Sequence, residues 1–136
     1  MLLETLLHSI FFIIYLALGI YIIKKNKKEI LNQSIFLLML VSAFQSLSLL
    51  VIRYPSIGLI EASIFMDVFA VSMTAFGGIT LLSIILLTRA YKPGAITYVL
   101  LGLYVLGFTV FQISTDFASV SERDGSGLWI MEFNNR

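Results

Sequence analysis

The stretch Val68–Thr88, VFAVSMTAFGGITLLSIILLT, runs for 21 residues without an Asp, Glu, Lys or Arg. A helix rises about 1.5 Å per residue, so this stretch is long enough to cross the roughly 30 Å hydrocarbon core of a bilayer. Three more uncharged stretches of 19 to 22 residues lie at Thr5–Ile23, Leu31–Ile52 and Ala95–Ile113. The sequence therefore predicts an all-α, polytopic integral membrane protein with four transmembrane helices in an antiparallel bundle.

The uncharged stretches also divide the chain. Residues 1–113 are predicted to form the transmembrane domain, with spans at about 5–23, 31–52, 57 or 68 to 88, and 95–113. A helix over 57–88 would measure about 48 Å, so it is either strongly tilted or preceded by an interfacial segment. Residues 114–136 are predicted to be a polar tail. Its apolar end, Leu128–Phe133, is either a short amphipathic piece on headgroups or a partner, or a disordered end.

Positive charge is concentrated in two of the three predicted turns. Cytoplasmic loops of membrane proteins carry an excess of Lys and Arg. The turns after the first and third spans are basic, whereas the turn after the second holds only Arg53. Both termini and the tail are therefore predicted to lie on the non-cytoplasmic side of the cell membrane. The residues that set this orientation are Lys24, Lys25, Lys27, Lys28, Arg89 and Lys92.

What the chain lacks disfavours several classes of function. It contains no cysteine, which excludes disulfides, thiolate metal sites and thiol catalysis. Its net charge of +1 gives no basis for nucleic-acid binding. His8 is the only histidine, too few for a haem or zinc site, and no catalytic constellation is present. We therefore expect no cofactor, no metal, no nucleic acid and no enzymatic activity.

Asp67 is the residue best placed for chemistry, because it lies at or just inside the edge of the third span. A carboxylate inside hydrocarbon is costly and usually has a functional or pairing reason. Three roles stay open: an interfacial residue that orients the helix, an ion or proton site, or a pairing residue in assembly. On a helix, Asp67 shares a face with small and polar residues, some spaced every four residues as in closely packed helices. They are Ser63, Ala70, Thr74, Gly77 and Gly78.

The second span supplies polar partners for this face. Gln45 and Ser42 both lie in its outer half. We expect Gln45 to lie opposite Asp67 or Thr74 as an interhelix contact, and such contacts contribute about 0.6 kcal/mol each. A polar lining for a substrate path is the alternative role for these residues.

Parts of the chain resemble the first four helices of the seven-helix membrane input domains of sensor histidine kinases. The likeness rests on Leu18–Tyr21 running into the lysine-rich turn and on Ser34–Leu38 opening the second span. The polar segment Ser114–Asp116, with Gly125 and Trp129, is similar to the outer loop after the fourth helix of such domains. The resemblance implies ligand or envelope sensing and supplies no catalytic residue.

These observations predict a small integral membrane subunit with a structural role in a larger membrane protein complex. The expected partners are membrane lipids and either other membrane-protein subunits or further copies of the chain. Two alternatives remain: a membrane sensor input module, and a small ion- or proton-coupled transporter that uses Asp67.

Overall fold

The structure is a computed structural model that describes residues 2–54, 56–88, 93–123 and 129–133. Its elements are α1 (Leu2–Lys25), α2 (Ile30–Ile52), α3 (Leu59–Thr88), α4 (Ala95–Thr115), β1 (Ala118–Arg123) and β2 (Trp129–Phe133). All four helices are long and apolar enough to cross a membrane. The predicted mainly helical chain with four apolar helices is thus confirmed. Arg89 and Lys92, predicted to set the orientation, and residues 124–128 of the tail lie outside the described residues.

The helices pack mainly against their neighbours in sequence. The most extensive contacts join α1 to α2 and α2 to α3, while α4 has a smaller contact with α3. Within the described part of the chain, α1 and α4 do not pack extensively on each other. The arrangement is therefore a row with α2 and α3 at its centre and α1 and α4 on its two flanks.

The third helix begins at Leu59 and continues without a break to Thr88, over 30 residues. Such a helix is about 45 Å long, which exceeds the thickness of a hydrocarbon core. The helix begins close to the earlier of the two predicted starts, and where its membrane-spanning part begins stays a prediction. Asp67 therefore lies two turns inside a continuous helix and is not at its beginning.

Two buried serines join the central helices close to the start of α2 and the end of α3. The Ser34 and Ser83 hydroxyl oxygens are 2.7 Å apart, and Ser83 also donates to Ile79 O on its own helix at 2.9 Å. A serine hydroxyl has a single proton. Because Ser83 uses its proton on Ile79, the bond between the helices is donated by Ser34 and accepted by Ser83.

This assignment predicts unequal effects for the two serines. Ser83→Ala removes the acceptor and leaves the buried Ser34 hydroxyl in need of a partner, whereas Ser34→Ala leaves Ser83 bonded to Ile79. We expect Ser83→Ala to lower the free energy of unfolding by about 1 kcal/mol and Ser34→Ala by about half as much. Unfolding by SDS in bicelles measures both, and a larger loss for Ser34→Ala would contradict the assignment.

The lysine-rich turn between α1 and α2 is held by side-chain amides. We call the end of the helices at which this turn lies the lysine end. Asn26 Oδ1 accepts from Lys28 N at 3.2 Å, and Gln33 Nε2 donates to Lys27 O at 2.8 Å. The lysines themselves are exposed. They are Lys24, Lys25, Lys27 and Lys28.

The tail forms two antiparallel strands, β1 and β2, which we call the hairpin. Val120 lies opposite Met131 and Ala118 opposite Phe133, with an irregularity between Val120 and Arg123. Alternate residues of a strand point to the same face. Those on one face pack on a core near Ile52, Met66 and Ala70; they are Ala118, Val120, Trp129 and Met131. The predicted polar tail thus contains a strand pair packed on the helices, which the sequence did not predict.

A candidate functional site: the Gln112 clamp

The most highly connected polar side chain of the described residues belongs to Gln112, in the last turn of α4. It is fully buried, and it is the only α4 residue that is. The helix ends just after it, where Asp116 adopts a left-handed conformation with φ of 45° and its N–H bonds Gln112 O at 2.9 Å. Asp tolerates this conformation better than most residues because its short polar side chain bonds locally. The turn brings the chain back, so that Ala118 lies beside the Gln112 side chain.

The Gln112 amide binds the backbone of β1 through both of its polar atoms. Its Oε1 accepts from Ala118 N at 3.0 Å, and its Nε2 donates to Ala118 O at 2.6 Å. The side chain therefore pairs with Ala118 much as a neighbouring strand would, and it satisfies both backbone polar groups of this buried residue. We call Gln112 together with Asp67 and Ala118 the Gln112 clamp.

The second Nε2 proton of Gln112 is donated to an acceptor on α3. Gln112 Nε2 donates to Asp67 Oδ1 at 2.8 Å, and Asp67 is half-buried. Hydrogen bonds to a charged acceptor are about twice as strong as neutral ones. The clamp therefore joins three elements, α3, α4 and β1, through one amide group.

The structure shows no hydrogen bond from Gln45 to Asp67 or Thr74 among the described residues. Asp67 bonds Gln112, and the Thr74 hydroxyl donates to Ala70 O on its own helix at 3.3 Å. Among the described residues, Gln45 Nε2 is buried without a hydrogen-bond partner. Sequence spacing cannot show which of two neighbouring helices a face meets, because that depends on how each helix is rotated about its axis.

Gln112 itself was not among the residues predicted from the sequence. One signal was available, because Gln112 is the only amide side chain in the uncharged span Ala95–Ile113. A polar side chain at that depth needs a partner. What the sequence could not supply was the partner, since Ala118 contributes only its backbone.

The small face of α3 lies towards α4 and the hairpin. Ala70 is buried in the core beneath the hairpin, and a side chain at Gly78 would collide with Leu101 of α4. Ser63 is half-buried, while Ser42 is buried and donates to Leu38 O of its own helix at 2.9 Å. Ser42 therefore forms no hydrogen bond to another helix among the described residues.

Two hollows lie along the seam between α3 and α4. One, of about 420 Å³, is nearer the lysine end, and the other, of about 310 Å³, lies under the hairpin; Tyr104 borders both. Among the described residues no charged side chain lines either hollow, and Asp67 lines neither. The first is lined by Gly77, Gly78, Leu81, Leu82, Ile85, Thr97, Leu100, Leu101 and Tyr104. The second is lined by Phe69, Ala70, Met73, Thr74, Tyr104, Phe108, Phe117, Ala118 and Phe133.

One ion pair joins α1 to the end of α2. Arg53 Nη1 lies 2.8 Å from Glu4 Oε2, and both side chains are partly exposed. Exposed pairs of this kind contribute at most about 1 kcal/mol. The pair neutralises the only arginine of the turn after α2. This turn lies at the end of the helices opposite the lysine end.

The chemistry available at the clamp is limited. Across the ranges that the structure describes, no three His, Asp or Glu side chains come together as metal ligands would. The clamp offers one carboxylate that already accepts a hydrogen bond, and its geometry suits positioning better than bond-making.

No family model, curated protein or solved structure matches the chain. The resemblance to sensor input domains therefore stays a prediction.

Proposed function

We propose that the chain is a small integral membrane subunit that packs in a larger membrane protein complex and has a structural role there. The clamp carries the proposal. Asp67, the residue best placed for ion or proton chemistry, accepts the Gln112 amide that holds the hairpin on the helices. Its position is explained by this pairing, without a substrate path.

The orientation follows from the positive-inside rule. In the proposed arrangement the lysine end faces the cytoplasm, and the hairpin and both termini lie on the other side of the cell membrane. The four exposed lysines of the turn support this arrangement, since they are free to meet anionic headgroups. Arg53 does not oppose it, because Glu4 neutralises its charge.

Helix packing supports an assembly role over an independent one. The flanking helix α1 has little buried surface, and α4 buries only Gln112. Lipid covers such flanks in a monomer, but an open seam between α3 and α4 leaves hollows in the chain's own packing. Membrane helices associate through close packing, so incomplete packing favours association with another subunit.

A sensor input module is the second candidate, and the clamp gives it specific support. Gln112 ties the hairpin to both α3 and α4, so a ligand that displaced β1 would also disturb the contact between these helices. The transport alternative has less support, because Asp67 lines neither described hollow. It predicts that Asp67→Asn abolishes proton or cation flux in liposomes.

Extraction of the native protein in a mild detergent tests the assembly role. We expect a particle whose protein mass, measured by light scattering, is at least twice that of one chain, because subunits of such complexes stay associated. The same sample in SDS gives the monomer reference. A monodisperse monomer in both mild detergent and lipid nanodiscs would contradict the proposal.

A further inference from the structure

The two hollows lie one after the other along the seam between α3 and α4, and we call them together the seam crevice. It runs along α3 from Phe69 to Ile85, which is about 24 Å of helix. Tyr104 borders both halves, and Gly77 lies on the wall near the middle with open space around it. The crevice is longer than one leaflet, which is about 15 Å deep, so a single acyl chain does not fill it.

The opposite flank of the row presents an apolar ridge on α1. Gly19 faces α2, since a side chain there would meet Met39 Cβ at 3.2 Å. On a helix, Ala17 and Tyr21 lie about 160° around the axis from Gly19 and Ile13 about 120°, so all three face away from α2. Ile13 and Tyr21 are accordingly 63% and 66% exposed, with the small, exposed Ala17 between them.

The ridge and the crevice lie at the same depth. Glu4 is level with Arg53 across α1 and α2, and Ser34 is level with Ser83 across α2 and α3. Following these pairs through the antiparallel helices places Ala17 level with Gly77. By the same pairs, Ile13 lies level with Met73 at the hairpin-side hollow, and Tyr21 with Leu81 at the other.

We propose that the seam crevice of one chain receives helix α1 of a second copy. The inference deepens the proposed subunit role and rests on it. Ala17 meets Gly77, where two small residues let the backbones approach, while Ile13 and Tyr21 enter the hollows on either side. Neither α1 between Thr5 and Ile23 nor the described crevice lining carries a charge, so no charge is buried. In copies inserted the same way, the contact is head to tail, which is the kind of contact that builds closed rings or open chains of subunits.

Cysteine cross-linking between two differently tagged copies tests the contact. The chain has no cysteine, so each introduced thiol is the only one. One copy carries Tyr21→Cys and the other Leu81→Cys, and both are treated with a short bismaleimide in native membranes. The control replaces Leu81→Cys with Val99→Cys, because Val99 lies at nearly the same depth and is 58% exposed against 60% for Leu81, yet does not line the crevice.

We expect the Tyr21–Leu81 pair to give severalfold more mixed-tag dimer than the Tyr21–Val99 pair. Equal yields would overturn the proposal. Dimers formed mainly between two Tyr21→Cys copies would overturn it too, because they would indicate a symmetric contact of α1 with itself. A large native particle without the Tyr21–Leu81 cross-link would reject this contact and leave the subunit role standing, whereas a monomeric particle would reject both.

A pair of glycine substitutions provides the independent measurement. Neither Gly77 nor Gly102 has an atom within 4 Å of an added Cβ, so a side chain at either position starts into open space within the single chain. Of these two glycines, only Gly77 lines the crevice. Gly77→Leu is expected to weaken self-association by about tenfold or more, and Gly102→Leu to leave it unchanged. Förster transfer between labelled copies in liposomes measures both, and equal effects of the two variants would count against the crevice.

Discussion

Replacing Gln112 with leucine is expected to lower the free energy of unfolding by about 3 kcal/mol and to release the hairpin from the helices. The reason is that three polar groups lose their partner together: Ala118 N, Ala118 O and the Asp67 carboxylate. Leucine matches the volume of Gln112 but offers no donor or acceptor. Buried groups left unsatisfied cost more than the hydrogen bonds that held them contributed.

Hydrogen exchange resolves where this loss occurs. In Gln112→Leu, we expect the Ala118 amide to exchange about a hundredfold faster, while amides in the middle of α2 keep their rates. Thr109→Val is the matched control, because the Thr109 hydroxyl donates only to Val105 O of its own helix. If Gln112→Leu were no more damaging than Thr109→Val, the clamp would not hold the hairpin.

A change at Asp67 separates the pairing role from a transport role. Asparagine retains a carbonyl oxygen at the position of Asp67 Oδ1, so it can still accept from Gln112 Nε2. If Asp67 serves only in the clamp, Asp67→Asn therefore keeps the hairpin in place and replaces one charge-assisted hydrogen bond with a weaker neutral one. Loss of ion flux in a folded Asp67→Asn protein would favour the transport alternative over the subunit role.

The second large effect is expected at Met66, in the core beneath the hairpin. Met66 is fully buried and packs with Ile52, Ala70 and Ala118, which belong to three different elements. Met66→Ala leaves a cavity that the surrounding elements fill only in part, and it is expected to cost about 3 kcal/mol of unfolding free energy. The loss is one of packing contacts, so it does not depend on the hydrophobic effect that lipid weakens.

Met73 provides the control for Met66 on the same helix. Met73 is 53% exposed, so Met73→Ala removes few packing contacts and is expected to cost less than about 1 kcal/mol. Unfolding by SDS in bicelles compares the two variants directly. Equal losses would mean that the buried core around Met66 contributes no more to stability than a half-exposed side chain of the same helix.

The part of the fold that sequence analysis predicted well is the part decided by neighbouring residues. An uncharged run such as Leu31–Ile52 specifies a helix of about the observed bounds, because its length and lack of charge are local properties. The start of α3 was ambiguous because Asp67 interrupts an apolar segment and was read as its possible edge. The structure includes Asp67 within the helix, where Gln112 bonds it.

The hairpin was harder to predict for a related reason. Its strands are short, and their apolar residues acquire a common face only when β1 and β2 pair and pack on α3. A two-stranded pair is marginal by itself in water. Here the core around Met66 and the clamp at Ala118 stabilise it, and neither lies in the same segment of sequence.

The sequence by itself determined that this chain has four helices of membrane-spanning length and where positive charge separates them, because charge and helix length are set residue by residue along the chain. Only the tertiary structure decided that Asp67 meets Gln112 and not Gln45, that Gln112 holds Ala118, and that the seam between α3 and α4 stays open. These outcomes depend on how each helix is rotated about its axis and on which later backbone groups come to lie beside it. Asp67 and Gln112, which are 45 positions apart in the sequence, are brought together by the packing alone.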